Sequence, residues 1–468
     1  MLEKLANIFR IPELRNRILF TAGILFIYRL GSHIPTPGIN TALLEQFFRQ
    51  QGGSALGLVD MFSGGNLRRL TVFALGIMPY ITASIIFQLL EVVYEPLARL
   101  QKEGEMGRKK ITQWTRYMTV GLGVVQSLAI ALTLVHGSSS VPYVSDPGVG
   151  FVFMTVLTLT AGTTFIMWLG EQITERGIGE GMSLLIFAGI VVGLPSGVEE
   201  LIQKARDQAW GAFTIPALVI LLVMMVAVVA FIVYVERSER RIPVQYAKRI
   251  VGRRLMGGQS THLPLRVNSG GVMPVIFAAS ILSAPLLFAH ATMFGVSFQD
   301  SRFFGPIFQA LQVGEPWYEL LYCVSIVFFA YFYISIIFRP DDIADNMRKY
   351  GGFIPGIRPG KRTADFVNDI LTRITLIGGI YLIIVSLIPQ VLISGIHLNH
   401  LWLVGPAFDK FPTWVTNGLG FNFYFGGTSL LIVVGVAMDT VNKVEAHLIM
   451  RHYDGFSSKS RTRGRRSW

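Results

Sequence analysis

The sequence predicts an all-α polytopic membrane protein with ten transmembrane helices in two inverted five-helix halves, both termini being cytoplasmic. Three observations predict this class. The 468-residue chain is 51% hydrophobic and only 15% charged, and its mean hydropathy is +0.51, which is typical of chains embedded in lipid. Long apolar runs recur along the chain. Lysine and arginine concentrate in alternate loops between these runs.

The apolar runs set the number of spans, because about 20 helical residues cross the ~30 Å hydrocarbon core. The predicted spans are 17–34, 70–93, 114–135, 151–170, 182–195, 214–235, 271–291, 317–338, 371–393 and 425–447. With both termini cytoplasmic, most of the 41 lysines and arginines fall in the amino terminus, the even-to-odd loops and the tail, as the positive-inside rule requires. Topology therefore explains the net charge of +12, which does not by itself indicate nucleic-acid binding.

The second span carries the most information, because part of it recurs in the seventh. Gly76–Ile86 aligns without gaps on Gly271–Ile281, and Gly, Met, Pro, Ile, Ala and the last Ile coincide. Apolar helices match each other easily, so coincidence is one explanation. The two segments nevertheless occupy equivalent positions of oppositely oriented halves, which is typical of an inverted repeat with a functional site at its interface. Pro79 near the middle of the span predicts a break in the helix.

The topology divides the chain into regions. An amino-terminal half at 1–195 and a carboxy-terminal half at 214–448 are joined by an extracytoplasmic hinge at 196–213, where charged residues suggest a short surface helix. A basic cytoplasmic tail follows at 449–468. We expect the end of this tail to be disordered and weakly attracted to anionic lipid or RNA.

Three regions between spans stand out. Gly57–Leu70 (GLVDMFSGGNLRRL) is partly apolar and interrupted by glycine. It is either an external loop or a short helix folded back into the membrane, which requires protein or a water-filled cavity around it. The cytoplasmic loops at 236–266 and 339–373 are basic, punctuated by proline and glycine, and longer than turns need. Long loops of this kind often carry function.

Missing features also discriminate between classes. The predicted spans contain almost no charge at mid-depth, where ion-coupled transporters keep residues that bind the driving ion. Serine and glutamine supply the polarity instead, and each such residue either packs helices or serves a site. The eight histidines show no metal spacing, and no motif of hydrolases, zinc proteases or phosphate-binding loops occurs. We therefore expect no enzyme, no cofactor and no metal.

Several motifs identify a family. YRLGSHIPTPGI, DMFSGG, LGIMPYITASIIFQLL, MWLGEQITERGIGEG, ERRIPVQYAKR, STHLPLRVNSGGVMPVIFA, FIPGIRPG and FYFGGTSLLIVVGVAMD resemble the bacterial SecY family, the channel subunit of the Sec protein translocon. The resemblance runs from about Leu14 to Met450 and departs at 397–422, which is longer than usual, and in the tail. It implies a clamshell of two halves around an hourglass pore in the bacterial inner (plasma) membrane. Such a channel passes unfolded secretory polypeptides and releases transmembrane segments sideways into lipid.

The resemblance also assigns site residues, position by position. A pore ring of bulky aliphatic side chains falls on Ile77, Ile81, Ile186, Ile276 and Ile432. The plug is the Gly57–Leu70 segment, with Asp60, Met61, Phe62, Ser63, Gly64 and Gly65 at its centre. Gln88, Gln126 and Ser127 are the candidates for the lateral gate, which opens between spans two and three and spans seven and eight.

The two basic loops are the expected docking surface for the ribosome or the SecA motor ATPase. The candidate residues are Arg240, Arg241, Lys248, Arg249 and Arg358, although each charge could instead serve only to set topology. The resemblance further implies the small subunits SecE and SecG, together with signal peptides, nascent chains and membrane lipids as partners.

Two other classes compete with a protein-conducting channel. A secondary transporter for a small solute is also built from inverted repeats with broken helices, but it should show a binding cluster at mid-depth. A structural scaffold for other subunits would not need the isoleucine ring.

Overall fold

The computed structural model describes residues 11–50, 60, 63–137, 144–206, 214–246, 249–251, 254–256, 260–289, 292–293, 296–297, 305–311, 315–394 and 427–458. The helices are α1 (Pro12–Gly31), α2 (Thr41–Gln50), α3 (Met78–Val93), α4 (Glu95–Lys102), α5 (Glu105–Gly137), α6 (Val149–Arg176), α7 (Gly181–Arg206), α8 (Thr214–Arg237), α9 (Met273–Ala289), α10 (Gly305–Ala310), α11 (Pro316–Ile337), α12 (Pro340–Lys349), α13 (Lys361–Ser394) and α14 (Gly427–Ser458). The strands are β1 (Glu239–Tyr246), β2 (Arg249–Val251), β3 (Arg254–Met256), β4 (Ser260–Arg266), β5 (Thr292–Met293), β6 (Val296–Ser297) and β7 (Gly352–Phe353).

A helix covers most of each predicted span. Within the described residues, five stretches are long and apolar enough to cross a membrane, and a sixth is added if α3 and α4 count as one bent span. These five stretches are Glu105–Val135, Val149–Arg176, Gly181–Glu199, Pro316–Lys349 and Lys361–Pro389. The chain is therefore a mostly helical protein with several membrane-spanning helices.

The second span differs from its prediction. Thr71 forms an isolated bridge with Pro35, residues 72–77 form turns, and α3 begins only at Met78. Pro79 therefore lies in the first turn of the helix and does not break it. Proline suits this position because its missing N–H would have no partner inside the helix there. After Val93 the chain bends by 98° into α4, and Leu97 is the buried residue of that short amphipathic helix.

The predicted surface helix after residue 195 is not a separate element. α7 continues through Pro195 to Arg206, so residues 196–206 form the last part of the same helix. Residues 207–213 of the predicted hinge lie outside the described part of the chain.

The loops predicted to be cytoplasmic contain a small sheet, which the all-α expectation missed. β1 pairs antiparallel with β4 from Glu239↔Arg266 to Gln245↔Ser260, and its far edge pairs with β7. Ile242 and Val244 of β1 are buried between exposed neighbours, which is the two-residue alternation of a strand with one covered face. The loops at 236–266 and 339–373 are therefore joined in one three-stranded sheet, in the order β4-β1-β7.

The chain divides into two compact units. The first comprises 1–200, 283–312 and 436–468, and the second comprises 201–282 and 313–435. A core of the first unit contains Leu44, Leu67, Leu70, Ala74, Leu75 and Leu159. A core of the second unit lies beneath the three-stranded sheet and contains Ile242, Leu265, Ile354, Val367, Leu371 and Ile374.

Candidate channel constriction, plug and docking sheet

The turn before α3 positions the first two ring candidates. Gly76 has φ +56°, a left-handed conformation that costs glycine little because it has no Cβ. Its N–H donates to the carbonyl of Phe73 at 2.9 Å, and the N–H of Ile81 then donates to the carbonyl of Ile77 at 3.1 Å. This turn starts the helix at the Met-Pro pair and leaves Ile77 and Ile81 5% and 7% exposed.

The turn before α9 repeats this geometry in the second unit. Gly271 has φ +58°, and its N–H donates to the carbonyl of Asn268 at 3.4 Å. The N–H of Ile276 donates to the carbonyl of Val272 at 3.2 Å, and Ile276 is 1% exposed. The two segments therefore share, besides their sequence, a left-handed glycine, the backbone hydrogen bond of that glycine and the first helical hydrogen bond of the isoleucine.

The remaining two ring candidates lie inside helices. Ile186 is in the second turn of α7 in the first unit, and it is buried. Ile432 is in the second turn of α14, within the part of that helix assigned to the second unit, and it is fully buried. All five predicted ring isoleucines are thus buried, three of them in the first unit and two in the second.

The plug candidate forms a compact turn over the residues that are described. Asp60 and Ser63 are helical, whereas Met61 and Phe62 lie outside the described residues. The carbonyl of Asp60 accepts the N–H of Gly65 at 2.8 Å and the hydroxyl of Ser63 at 2.9 Å.

Three neighbours seat this turn within the first unit. Asn66 Nδ2 donates to the carbonyl of Ser63 at 2.6 Å, and the hydroxyl of Tyr28 on α1 donates to the same carbonyl at 3.4 Å. Gly64 has φ +76°, and a Cβ added there would lie 2.7 Å from the Cα of Gly189 on α7. Only glycine allows so close an approach of two backbones. The turn is therefore packed against α1 and α7.

The carboxy-terminal end of the plug candidate is fixed by Thr36. Both the N–H and the hydroxyl of Thr36 donate to the carbonyl of Leu70, at 2.9 and 2.7 Å. Leu70 is buried and has φ +40°, a conformation that non-glycine residues rarely adopt. These two hydrogen bonds and the surrounding apolar core hold the strained residue in place.

The lateral-gate candidates lie on α3 and α5. Gln88 Nε2 donates to the hydroxyl of Ser84 at 3.2 Å, and Gln126 is buried. The Oε1 atoms of both glutamines are buried and have no hydrogen-bond partner among the described residues. Ser127 contacts the hydroxyl of Thr160 on α6 at 3.4 Å, so its side chain serves the packing of α5 on α6.

The docking candidates lie on and around the three-stranded sheet. Arg240 and Arg241 of β1 are exposed, and Arg241 forms an ion pair with Glu239 at 2.8 Å. Arg358 is exposed in the loop between β7 and α13, where its carbonyl accepts the hydroxyl of Thr363 at 3.0 Å. Arg249 is in β2, with a side chain outside the described set, and Lys248 lies outside the described residues.

Sequence reasoning missed the residues that hold the plug candidate in place. Tyr28, Thr36 and Gly189 contact it from positions far away in the chain, and no local periodicity marks such contacts. The only available signals were their motifs, YRLGSHIPTPG and SLLIFAG. In the part of the chain that the structure describes, no group of three His, Cys, Asp or Glu side chains is placed to hold a metal ion.

Comparisons with known proteins agree with this architecture. A sequence model of the SecY family matches residues 71–441. The chain is 45% identical to the protein translocase subunit SecY of Escherichia coli K12 over 97% of this chain and 96% of that protein. It is 44% identical to the subunit of the same name from Aquifex aeolicus over 97% of this chain and 99% of that protein.

Solved structures share the fold at low sequence identity. One described as the structure of a protein conducting channel has a TM-score of 0.59 and 16% identity, covering 92% of this chain and 91% of that one. Sec61 from a canine ribosome-channel complex has a TM-score of 0.55 and 16% identity over the same shares. Because the family match covers most of the sequence and the bacterial relatives match it almost end to end, this multi-pass membrane chain belongs to the SecY family.

Proposed function

We propose that this chain is a protein-conducting channel that passes unfolded secretory polypeptides across the membrane and releases transmembrane segments sideways into lipid. The observation that carries the proposal is 45% identity, over nearly the whole chain, to proteins named as translocase subunits. The channel provides a path and no chemistry, so a partner supplies the driving energy. The alternative, a secondary transporter for a small solute, gains no support from these relatives.

The finer architecture is part of the proposal. It comprises ten transmembrane helices in two inverted five-helix halves, 1–195 and 214–448, around an hourglass pore, with both termini cytoplasmic in the bacterial inner membrane. The helix at each predicted span supports the count. The matching turns before α3 and α9 support the repeat, and the distribution of basic residues supports the orientation.

The pore ring is proposed at the five buried isoleucines. A protein channel must pass any side chain and still hold back ions at rest. Carbonyl oxygens or charges at the constriction would bind particular ions, whereas isoleucine side chains form a dry constriction that gates by dewetting and yields to a passing segment. The seated turn around Ser63 and Gly64 supports a plug that adds a second barrier in the idle state.

The three-stranded sheet is the proposed docking site for the ribosome or the SecA motor. Its support is the exposure of Arg240, Arg241 and Arg358 on two loops that share one core. We propose SecE and SecG as accompanying subunits. The lateral gate is proposed at Gln88, Gln126 and Ser127. The side-chain carbonyl oxygens of the two glutamines are buried and have no hydrogen-bond partner among the described residues, so the gate gains stability when it opens and these oxygens find donors.

Cross-linking tests this function directly. A photoreactive amino acid at position 81 or 276 should cross-link to a secretory chain that is stalled during translocation, because the chain must pass the constriction. The matched control is position 157, where Leu157 is 56% exposed on α6 and should cross-link to lipid instead. The channel would be refuted by equal yields at the constriction and control positions. A solute transporter or a scaffold predicts no cross-link to the stalled chain at either position.

A further inference from the structure

Asp60 is a buried carboxylate that the channel function alone does not require. It belongs to the plug candidate and to none of the spanning helices, and only 5% of its surface is exposed. A buried carboxylate is costly unless hydrogen-bond donors or positive charges satisfy it. The groups that contact the Asp60 carboxylate therefore indicate its structural role.

These partners all lie a few residues further along the plug. The backbone N–H of Arg68 donates to Asp60 Oδ1 at 2.9 Å, and the Nε of the Arg68 guanidinium is 4.0 Å from Oδ2. The backbone carbonyl of Asp60 also accepts the N–H of Gly65 at 2.8 Å. Asp60 thus closes the loop from residue 60 to residue 68 through both its side chain and its backbone.

We propose that Asp60 is the positioning residue of the plug, whose side-chain oxygen holds the turn around Ser63 and Gly64 in the shape that fits α1 and α7. This inference rests on the proposed assignment of Gly57–Leu70 as the plug. Without the oxygen acceptor, the Arg68 N–H loses its partner and the loop opens. The Ser63 carbonyl then leaves Tyr28, and Gly64 leaves Gly189.

The charge of Asp60 adds a dependence on pH. Burial raises the pKa of Asp60 to about 6, although the N–H of Arg68 and the charges of Arg68 and Arg69 lower it. Arg29 of α1 interacts electrostatically with both arginines. When the plug leaves its seat, the exposed carboxyl regains its ordinary pKa near 3.8. The closed plug is therefore most stable with Asp60 protonated, and it loses stability as the pH rises through about 6. Linkage predicts an increase of about tenfold in the open-to-closed ratio between pH 5 and pH 7.

The test is the resting ion conductance of the complete channel complex in planar bilayers. Asp60→Leu keeps the branched shape of four heavy side-chain atoms but has no acceptor, and it should raise conductance about tenfold or more. Asp60→Asn keeps the acceptor and removes the charge, so its conductance should lie at or below that of the parent at pH 5. The parent's conductance should rise between pH 5 and pH 7, and that of Asp60→Asn should not.

Deletion of residues 57–67 tests the plug assignment separately from the role of Asp60. If the deletion leaves conductance unchanged, the plug assignment itself is wrong. If the deletion leaks but Asp60→Leu conducts like the parent, or Asp60→Asn leaks as much as Asp60→Leu, the role of Asp60 is overturned. Should Asp60→Leu fail to assemble, the pH profile decides alone: a rise in the Asp60→Asn channel equal to that of the parent overturns the proposal.

Discussion

Replacing Gly64 by alanine should unseat the plug and make the resting channel leak ions. The new Cβ would lie 2.7 Å from the Cα and 3.1 Å from the carbonyl oxygen of Gly189, and φ is +76°. Overpacking of this kind costs about 1–3 kcal/mol, and the left-handed conformation adds about 1–2 kcal/mol for a residue with a Cβ. Displacement of the plug relieves the clash with the α7 backbone. The clash alone therefore shifts the closed state toward the open state by roughly 5- to 150-fold, since 1.4 kcal/mol is a factor of ten.

Conductance in planar bilayers, recorded without a translocating chain, measures this shift. Gly104→Ala is the matched control, because Gly104 has φ +81° but nothing within 4 Å of an added Cβ. The control carries the same conformational cost outside the plug and should conduct like the parent. A Gly64→Ala channel that is as tight as the parent, or a Gly104→Ala channel that leaks equally, would refute the reasoning.

Three other changes test the remaining sites. Ile276→Ser should raise resting conductance several-fold by wetting the constriction, and a conductance equal to the parent's in planar bilayers would argue against the ring. Arg358→Glu should abolish motor-driven transport into proteoliposomes while assembly stays intact. Arg99→Glu, on the exposed face of α4, is the control and should not affect transport. Unchanged transport by the Arg358→Glu channel would show that Arg358 is not part of the docking site. Leu371→Ala removes a side chain from the core beneath the sheet and should lower the stability of this core by about 2–5 kcal/mol. The backbone amides of β1 and β4 should then exchange hydrogen faster. Unaltered exchange would show that this core does not support the sheet.

The helices were predictable because their signal is local. A run of apolar residues with basic flanks marks a span whatever it packs against, so a helix lies at each expected position. The similarity of the two turns was also predictable, because both Gly-X-Met-Pro segments place a left-handed glycine just before the start of a helix.

Other features depend on contacts that no local pattern records. The sequence could not predict that α3 begins at Met78, because the preceding residues are as apolar as the helix itself although their backbone forms mostly turns. The third strand of the sheet was not predictable, because β7 has only two residues and pairs with β1, which lies far away in the sequence. Tyr28, Thr36 and Gly189 contact the plug candidate through tertiary structure alone. Convergence of the isoleucines on one axis stays a prediction.

The pairing of β7 with β1 has a mechanical consequence. Gln245↔Phe353 and Tyr246↔Gly352 join the loop at 236–266 to the middle of the loop at 339–373, and the next residue, Ile354, belongs to the core that β1 and β4 cover. A partner that grips the Arg358 loop therefore also pulls on the long hairpin, and the force reaches α8 and α9 through the two ends of that hairpin. The two loops are therefore mechanically coupled through the two residue pairs between β1 and β7.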